Sequence, residues 1–288
     1  MSSLQSDPNV ARAARIIGAA DALIVAAGAG MGVDSGLPDF RGREGFWRAY
    51  PALGKAGVDF HEIASPSAFE SSPLRAWGFY GHRLALYRRT QPHEGFALLK
   101  RWGESMQRGY FVFTSNVDGQ FQMAGFDARR LLECHGSIHH LQCLKPCSDG
   151  IWSAGGFEPE VDEEACTLRN APPVCAECGA LARPNVLMFG DWGWNGAREQ
   201  RQSARMEQWL ATVRSPVVVE LGAGTAIASV RRFGERAIER FGARLIRINP
   251  REAAVPGLEH VGIDAGALAA LRAIAAPLGR DRAPDAAK

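Results

Sequence analysis

Residues 22–32, ALIVAAGAGMG, join an uninterrupted apolar run to a glycine-rich turn, and this stretch decides the fold. An apolar run that does not alternate with polar residues is typical of a strand buried on both faces of a parallel sheet. Glycines directly after such a strand allow a tight turn and let backbone N–H groups approach a pyrophosphate. An ordinary strand-to-helix turn uses the same glycines, so one such loop indicates a nucleotide only weakly.

The same pattern recurs along the chain. Three further apolar runs, at 110–115, 216–221 and 243–249, read YFVFTS, PVVVEL and ARLIRIN. Alternation of such runs with helical patterns predicts an α/β fold with a doubly wound parallel, Rossmann-like sheet. The helical patterns between them cover about 10–20, 94–106, 196–213 and 226–241.

Two stretches interrupt this alternation. Residues 46–90 are aromatic-rich and helical in pattern, and residues 135–185 hold paired cysteines among glycines and prolines. We therefore predict one nucleotide-binding domain with a smaller lobe inserted into it. The domain comprises 8–47, 90–134 and 185–279; the lobe comprises a helical insertion at 48–89 and a zinc-binding module at 135–184; 1–7 and 280–288 are predicted to be disordered tails.

Composition narrows the class of partner. The 288 residues include 33 basic and 31 acidic ones, a formal charge of +2, which is too even to predict a nucleic-acid or membrane partner. No apolar stretch is long enough to span a bilayer. The first residues, MSSLQSDPNV, lack the basic and apolar regions of a secretory signal. We expect a soluble, cytoplasmic protein.

The cysteines point to a metal. Without a secretory signal, six cysteines indicate metal binding or catalysis rather than disulfides. The pairs Cys143-x3-Cys147 and Cys175-x2-Cys178 lie in turn-like contexts and predict a structural zinc site with four thiolates. Cys166 is an alternative candidate for one ligand position, but no second cysteine lies near it in the sequence. Four ordinary buried cysteines are an alternative, and a nucleic-acid-binding zinc ribbon is another, which the acidic segment 149–167 opposes.

The glycine spacing separates two nucleotide functions. Gly28-x-Gly30 is followed by Val33 where the dehydrogenase fingerprint has its third glycine, and no second strand ends in an acidic residue at the required distance. A hydride-transfer enzyme is therefore disfavoured. A second loop, Gly222-Ala223-Gly224-Thr225, follows another strand and supports a dinucleotide.

In combination, these segments resemble the sirtuins, a family of NAD-dependent protein deacylases. GAGMGVDSGLPDFRG (28–42) resembles the family's GAG…GIPDFR loop, TSNVDG (114–119) its TQNIDG, and HGS (135–137) its HG motif. RPNVLMFGD (183–191) resembles the segment that pairs with the substrate peptide, and ELGAGTA (220–226) and INP (248–250) resemble adenosine-side contacts. Ser115 replaces the usual Gln, and Gly32 and Gly224 replace common serines, which suggests a divergent bacterial-type branch.

The resemblance implies NAD as co-substrate, one structural zinc ion, and an acyl-lysine peptide or protein as substrate. It also implies a general base, His135, whose imidazole titrates near neutral pH. Asn116 and Asp118 would orient the nicotinamide and its ribose, although NVDG also suits an Asx turn. The NAD contacts it implies are Gly28, Ala29, Gly30, Asp39, Phe40, Arg41, Ser115, Asn116, Asp118, Gly222, Gly224, Thr225 and Asn249. From the residues alone, Asp39 and Arg41 are equally a surface ion pair.

The substrate side rests on four residues. Val186 and Phe189 belong to the segment expected to pair with the peptide. Tyr80 and Arg83, three apart on a predicted helix, resemble the pair by which some sirtuins read the carboxylate of succinyl- or malonyl-lysine. The alternative is that Tyr80 belongs to the core and Arg83 to a solvated flank. Mono-ADP-ribosylation or NAD hydrolysis at the same site, and a non-catalytic NAD sensor, are the competing functions.

Overall fold

The computed structural model describes residues 2–38 and 42–280, which contain three sheets. Six parallel strands follow the order β11-β10-β9-β1-β2-β3, three strands form the antiparallel sheet β5-β4-β8, and two form the hairpin β6-β7. The strands are β1 (Ala22–Ala27), β2 (Tyr110–Thr114), β3 (Leu131–Glu133), β4 (Gly136–Cys143), β5 (Ile151–Ser153), β6 (Val161–Asp162), β7 (Thr167–Leu168), β8 (Ala182–Val186), β9 (Pro216–Leu221), β10 (Arg244–Ile248) and β11 (Val261–Ile263).

Twelve helices occupy the described ranges. The helix that begins at Pro8 has a typical N-terminus, because the Asp7 side chain caps it by accepting from Asn9 N and proline is favoured in the first turn. They are α1 (Ser2–Gln5), α2 (Pro8–Ala19), α3 (Gly42–Ala49), α4 (Pro51–Lys55), α5 (Phe60–Ile63), α6 (Pro66–Ser71), α7 (Pro73–Arg89), α8 (Glu94–Glu104), α9 (Gln120–Met123), α10 (Ala197–Leu210), α11 (Ser229–Phe241) and α12 (Ala267–Arg280). None of these helices combines the length and apolarity that a membrane crossing requires.

The parallel sheet confirms the predicted fold class. Every residue of β1 and β9 is buried, as expected for strands covered on both faces. One apolar core, with α2, α8 and α12, lies on one face, and a second, with α10 and α11, lies on the other. The chain passes from β1 to β2 on one side and later to β9 on the other, so the strand order reverses around β1.

A third apolar core is formed by residues of the five helices α3 through α7 together with strands β4 and β8. It lies in the segments predicted to form the smaller lobe, whose boundaries stay a prediction. The prediction of a disordered start differs from the structure: Ser2–Gln5 is helical and Leu4 packs against the first core. The C-terminal residues 281–288 lie outside the described residues.

Candidate active site

The carboxyl ends of three central strands meet at one edge of the sheet, since Ala27 is level with Thr114 and Leu221. A cavity of about 750 Å³ opens there, at the position where open α/β sheets bind ligands. Twelve of the residues predicted to form the site line this cavity. They are Gly28, Ala29, Tyr80, Arg83, Ser115, Asn116, Asp118, His135, Val186, Phe189, Gly222 and Gly224.

The two glycine loops pack directly against each other beneath the cavity. A Cβ atom on Gly28 would lie 2.8 Å from the carbonyl oxygen of Gly222. Gly222 has a φ of +59°, and a Cβ atom there would collide with Gly30. Both positions therefore require glycine, one for close approach and the other also for its left-handed backbone.

Three predicted NAD contacts lie outside the cavity lining. Gly30 packs against the second loop, and its N–H donates to Gly222 O over 3.1 Å. Asn249 is buried, and its Nδ2 donates to Ala223 O over 2.9 Å. Thr225 is exposed, and its hydroxyl donates to a glutamate carboxylate. In this structure Gly30 and Asn249 shape the second loop rather than face the cavity. Asp39, Phe40 and Arg41 lie outside the described residues.

Asn116 and Asp118 follow β2 and are held by short polar contacts. Asn116 Nδ2 donates to Gly28 O over 3.0 Å, which ties the loop after β2 to the first glycine loop. Asp118 Oδ1 accepts from Gln120 N over 2.9 Å, so the Asx turn considered from the sequence is present. Burial raises the pKa of Asp118 to about 6. His139 supports the same loop by donating from Nε2 to the Asp118 carbonyl over 2.8 Å.

His135 follows β3 and is held at two points. Its Nε2 lies 3.1 Å from the Ser229 hydroxyl, and its ring also donates a hydrogen bond to the backbone of Ser115. Burial lowers the pKa of His135, and the bond to Ser115 opposes that shift. The imidazole is therefore neutral at pH 7 and able to accept a proton.

Helix α7 contributes three side chains to the cavity wall, Tyr80, Arg83 and Tyr87. Tyr80 is 1% exposed and Arg83 is 8% exposed, so the expectation of a solvated Arg83 flank is wrong. Arg83 Nε donates to the Tyr87 hydroxyl over 3.0 Å, and the guanidinium carbon lies 5.5 Å from the Tyr80 ring centre. Burial raises the pKa of Tyr80 to about 12, which keeps its hydroxyl a hydrogen-bond donor. A cation inside an aromatic wall can select a ligand by charge.

The segment 186–189 is held against the cavity by internal bonds. Leu187 N donates to His135 O and Phe189 N donates to Ala64 O, both over 2.9 Å. Met188 N donates to Asp191 Oδ2 over 3.3 Å. Asp191 in turn pairs with Arg183 over 2.8 Å, and neither side chain is exposed. This buried ion pair therefore holds the segment in place through the bond from Met188 N to Asp191.

Sequence and structure comparisons agree with this geometry. A sequence model of the Sir2 family matches residues 28–219, which is more than half of the chain. The chain belongs to the Sir2 family. An NAD-dependent protein deacylase of Pyrobaculum aerophilum is 32% identical over 83% of this chain and 84% of its own length. The NAD-dependent protein deacylase of Aquifex aeolicus is 29% identical over 80% and 84%. A solved Sir2 enzyme is 27% identical with a TM-score of 0.65, covering 95% of this chain and 99% of its own.

The Sir2 fold also carries the predicted zinc site. The Sγ atoms of the two predicted cysteine pairs all lie within 4.8 Å of one another. Two of the separations are 3.6 Å, close to the roughly 3.8 Å edge of a tetrahedron with Zn–S bonds of about 2.3 Å. Four thiolates complete the coordination of one zinc ion, which makes the site structural. Cys166 lies elsewhere, in the turn between β6 and β7. The cluster is Cys143, Cys147, Cys175 and Cys178.

The sequence alone assigns no role to five side chains that shape this Sir2 site. Tyr87 stands one helical turn beyond Arg83 on α7, and its hydroxyl accepts a hydrogen bond from Arg83 Nε. Ser229, His139 and the Arg183–Asp191 pair act through contacts between elements far apart in the chain. A local sequence pattern does not predict contacts between residues that are far apart in the chain.

Proposed function

We propose that this Sir2 protein is an NAD-dependent protein-lysine deacylase that releases nicotinamide and O-acyl-ADP-ribose. One observation carries the proposal: His135, Asn116 and Asp118 share a single cavity with the segment 186–189. The names of the Pyrobaculum and Aquifex relatives support the same reaction. The remaining steps follow from the chemistry of each side chain.

The loop after β2 binds the nicotinamide end of NAD. NAD, when bound, supplies the ribosyl carbon that the acyl oxygen attacks and the nicotinamide that leaves. Since Asn116 Nδ2 is committed to Gly28 O, its Oδ1 is the atom that presents itself to the nicotinamide amide. Asp118 is ionised above a pH of about 6 and accepts a hydrogen bond there. Ser115 and the glycine loops supply backbone contacts to the rest of the dinucleotide.

His135 is the general base. It is neutral at pH 7, half-buried and adjacent to the loop that we propose to orient the ribose. It takes the proton of a ribose hydroxyl, whose oxygen would then attack the acyl carbon. The lysine amine would leave with a proton, and a water molecule would supply the oxygen that completes O-acyl-ADP-ribose. A base whose pKa lies near the working pH combines the correct protonation state with useful basicity.

The substrate peptide pairs with the segment 186–189 as an added strand. Because the N–H groups of Leu187, Met188 and Phe189 already donate within the chain, we expect the carbonyl oxygens of these three residues to accept the hydrogen bonds of the peptide. Val186 and Phe189 line the cavity and flank the acyl-lysine side chain.

In this proposal, the acyl group that the enzyme prefers carries a negative charge. Arg83 and Tyr80 line the cavity in an apolar wall, where a charge-assisted hydrogen bond to a succinyl or malonyl carboxylate contributes about 1.5–3 kcal/mol. An acetyl group makes no such bond. Arg83→Met should therefore lower kcat/KM on a succinyl-lysine peptide by roughly 10- to 100-fold relative to the acetyl version. Arg89→Met, exposed on the same helix, is the matched control; an unchanged ratio in Arg83→Met would assign Arg83 to structure alone.

Product analysis tests the reaction itself. The protein is incubated with NAD and an acetyl- or succinyl-lysine peptide, and the products are identified by mass spectrometry. Acyl-ADP-ribose supports the proposal, ADP-ribosylated protein indicates a transferase, and ADP-ribose formed without peptide indicates an NAD hydrolase. His135→Ala should lower turnover by about 10²–10⁴-fold while NAD still binds. Activity within a few-fold of wild type would remove His135 from the role of base.

A further inference from the structure

His135 lies between two cavities. Besides the cavity of the proposed active site, a second one of about 480 Å³ reaches the same imidazole between α10 and α11. Ser229, the first residue of α11, lines this second cavity and not the first. Its hydroxyl oxygen is 3.1 Å from His135 Nε2, which is hydrogen-bond distance. The ring therefore has a side-chain polar partner in addition to the backbone of Ser115.

We propose that Ser229 is a positioning residue for His135: Nδ1–H donates to the Ser115 carbonyl, Nε2 is the basic nitrogen, and the Ser229 hydroxyl holds Nε2. The inference rests on the proposed function, in which His135 is the base. Two bonds of this kind fix both the tautomer and the plane of the imidazole, as the orienting partner does in other imidazole bases.

Ser229 also stabilises the charged form of the base. When the ribose O–H bond breaks, its proton goes to Nε2 and its electron pair stays on the ribose oxygen. Because Nε2 has a single lone pair, the Ser229 O–H turns away from it as the ribose proton arrives, and the Ser229 oxygen then accepts a hydrogen bond from the new Nε2–H. Hydrogen bonds that involve an ion are roughly twice as strong as neutral ones, so Ser229 stabilises the imidazolium more than the neutral ring. This opposes the burial that lowers the pKa of His135.

Other titratable and charged groups that line the two cavities beside His135 come from four segments, and the Ser229 variants retain all of them. Asp118 follows β2, Cys134 precedes the histidine, Glu199 lies on α10, and Arg232 and Arg236 lie on α11. Burial raises the pKa of both Cys134 and Glu199. A change in the titration of His135 on substitution of Ser229 is therefore attributable to the hydroxyl.

The test is an NMR titration of the His135 Cε1–H signal, identified as the peak absent from His135→Gln. Ser229→Ala should lower the pKa of His135 by about 0.5–1 unit, the difference between a charged and a neutral hydrogen bond. Ser229→Thr, which keeps the hydroxyl, should restore the wild-type titration. Ser203→Ala, which lines the same second cavity without contacting His135, is the matched control and should titrate as the wild type does.

An unchanged or raised pKa in Ser229→Ala overturns the proposal, as does a Thr variant that behaves like Ala. Turnover supplies the second readout: kcat should fall in Ser229→Ala and be retained in Ser229→Thr and Ser203→Ala. The NMR titration needs no turnover. A wild-type protein that forms no acyl-ADP-ribose therefore refutes the proposed function and leaves the Ser229 contact to be decided by its own measurement.

Discussion

Breaking the Arg183–Asp191 pair should weaken both the fold and the binding of the peptide. The two side chains are 2.8 Å apart and neither is exposed, so removing one partner leaves an uncompensated buried charge. Such a loss costs about 3–5 kcal/mol of unfolding free energy. Because Asp191 also fixes Met188, the loss should reach the segment that we propose to pair with the substrate.

The structure ranks the two single substitutions. In Arg183→Met the Asp191 carboxylate keeps backbone donors from Met188 at 3.3 Å and Gly193 at 3.2 Å, so the cost should be near 3 kcal/mol. In Asp191→Asn the Arg183 guanidinium keeps its charge but loses its carboxylate partner. It still donates to the Val186 carbonyl over 3.2 Å, while its buried Nε has no hydrogen-bond partner. That cost should be near 5 kcal/mol. The double variant should cost less than the sum, because it removes both charges.

Urea unfolding at saturating zinc, followed by tryptophan fluorescence, measures the free energies of this cycle. Steady-state kinetics should show a raised KM for the peptide and an unchanged KM for NAD in Arg183→Met. The exposed pair Arg240–Glu207, at 3.1 Å, supplies the matched control, and Arg240→Met should cost at most about 1 kcal/mol. Additive single costs, or a KM for NAD that rises with that for the peptide, would refute the reasoning.

Three further predictions follow from single features. The purified protein should carry one zinc ion per chain by elemental analysis, and Cys175→Ala should lose it; normal zinc content in that variant contradicts the four-thiolate site. Gly78→Ala should lower the free energy of unfolding, because the added Cβ would lie 2.7 Å from Thr167 Cα, and overpacking of about 1–3 kcal/mol exceeds the ~1 kcal/mol gained in helix propensity. Gly18→Ala is the matched control: its nearest atom is 3.9 Å away, so this variant should raise the melting temperature. Asp118→Asn should melt above the wild type at pH 7.5 but not at pH 4, because a carboxyl whose pKa is raised to about 6 loses its stabilising contribution as pH rises from about 4 through 6.

The central sheet is predictable from sequence because its long strands are apolar throughout. The runs at 22–27 and 216–221 coincide with β1 and β9, and the run at 243–249 contains β10. The edge strands β3 and β11 escape prediction because each has only three residues, too few to show a period. Their position is decided by pairing with β2 and β10 rather than by their own sequence.

The site is predictable to the extent that its residues follow strands directly. Asn116 and Asp118 come just after β2, and His135 comes just after β3, so the topology delivers them to one edge of the sheet. Asn249 also follows a strand, yet its side chain turns inward to hold Ala223. The position of a residue at a strand end is encoded locally, whereas the direction of its side chain depends on contacts made much later in the chain.

The pH dependence of the reaction should belong to Asp118 and His135 together. Burial raises the pKa of the carboxyl to about 6 and lowers that of the imidazole, whose ordinary value is about 6.5, so the two shifts bring the titrations toward each other. At pH 7 the carboxylate is charged and the imidazole neutral, which are the states that the proposed mechanism needs. On acidification, protonation of either group removes activity, so kcat/KM for NAD should fall through a pH of about 6, with a limb that belongs to the pair. A profile that stays flat down to pH 5 would contradict the role of both groups, because burial raises the pKa of the Asp118 carboxyl to about 6.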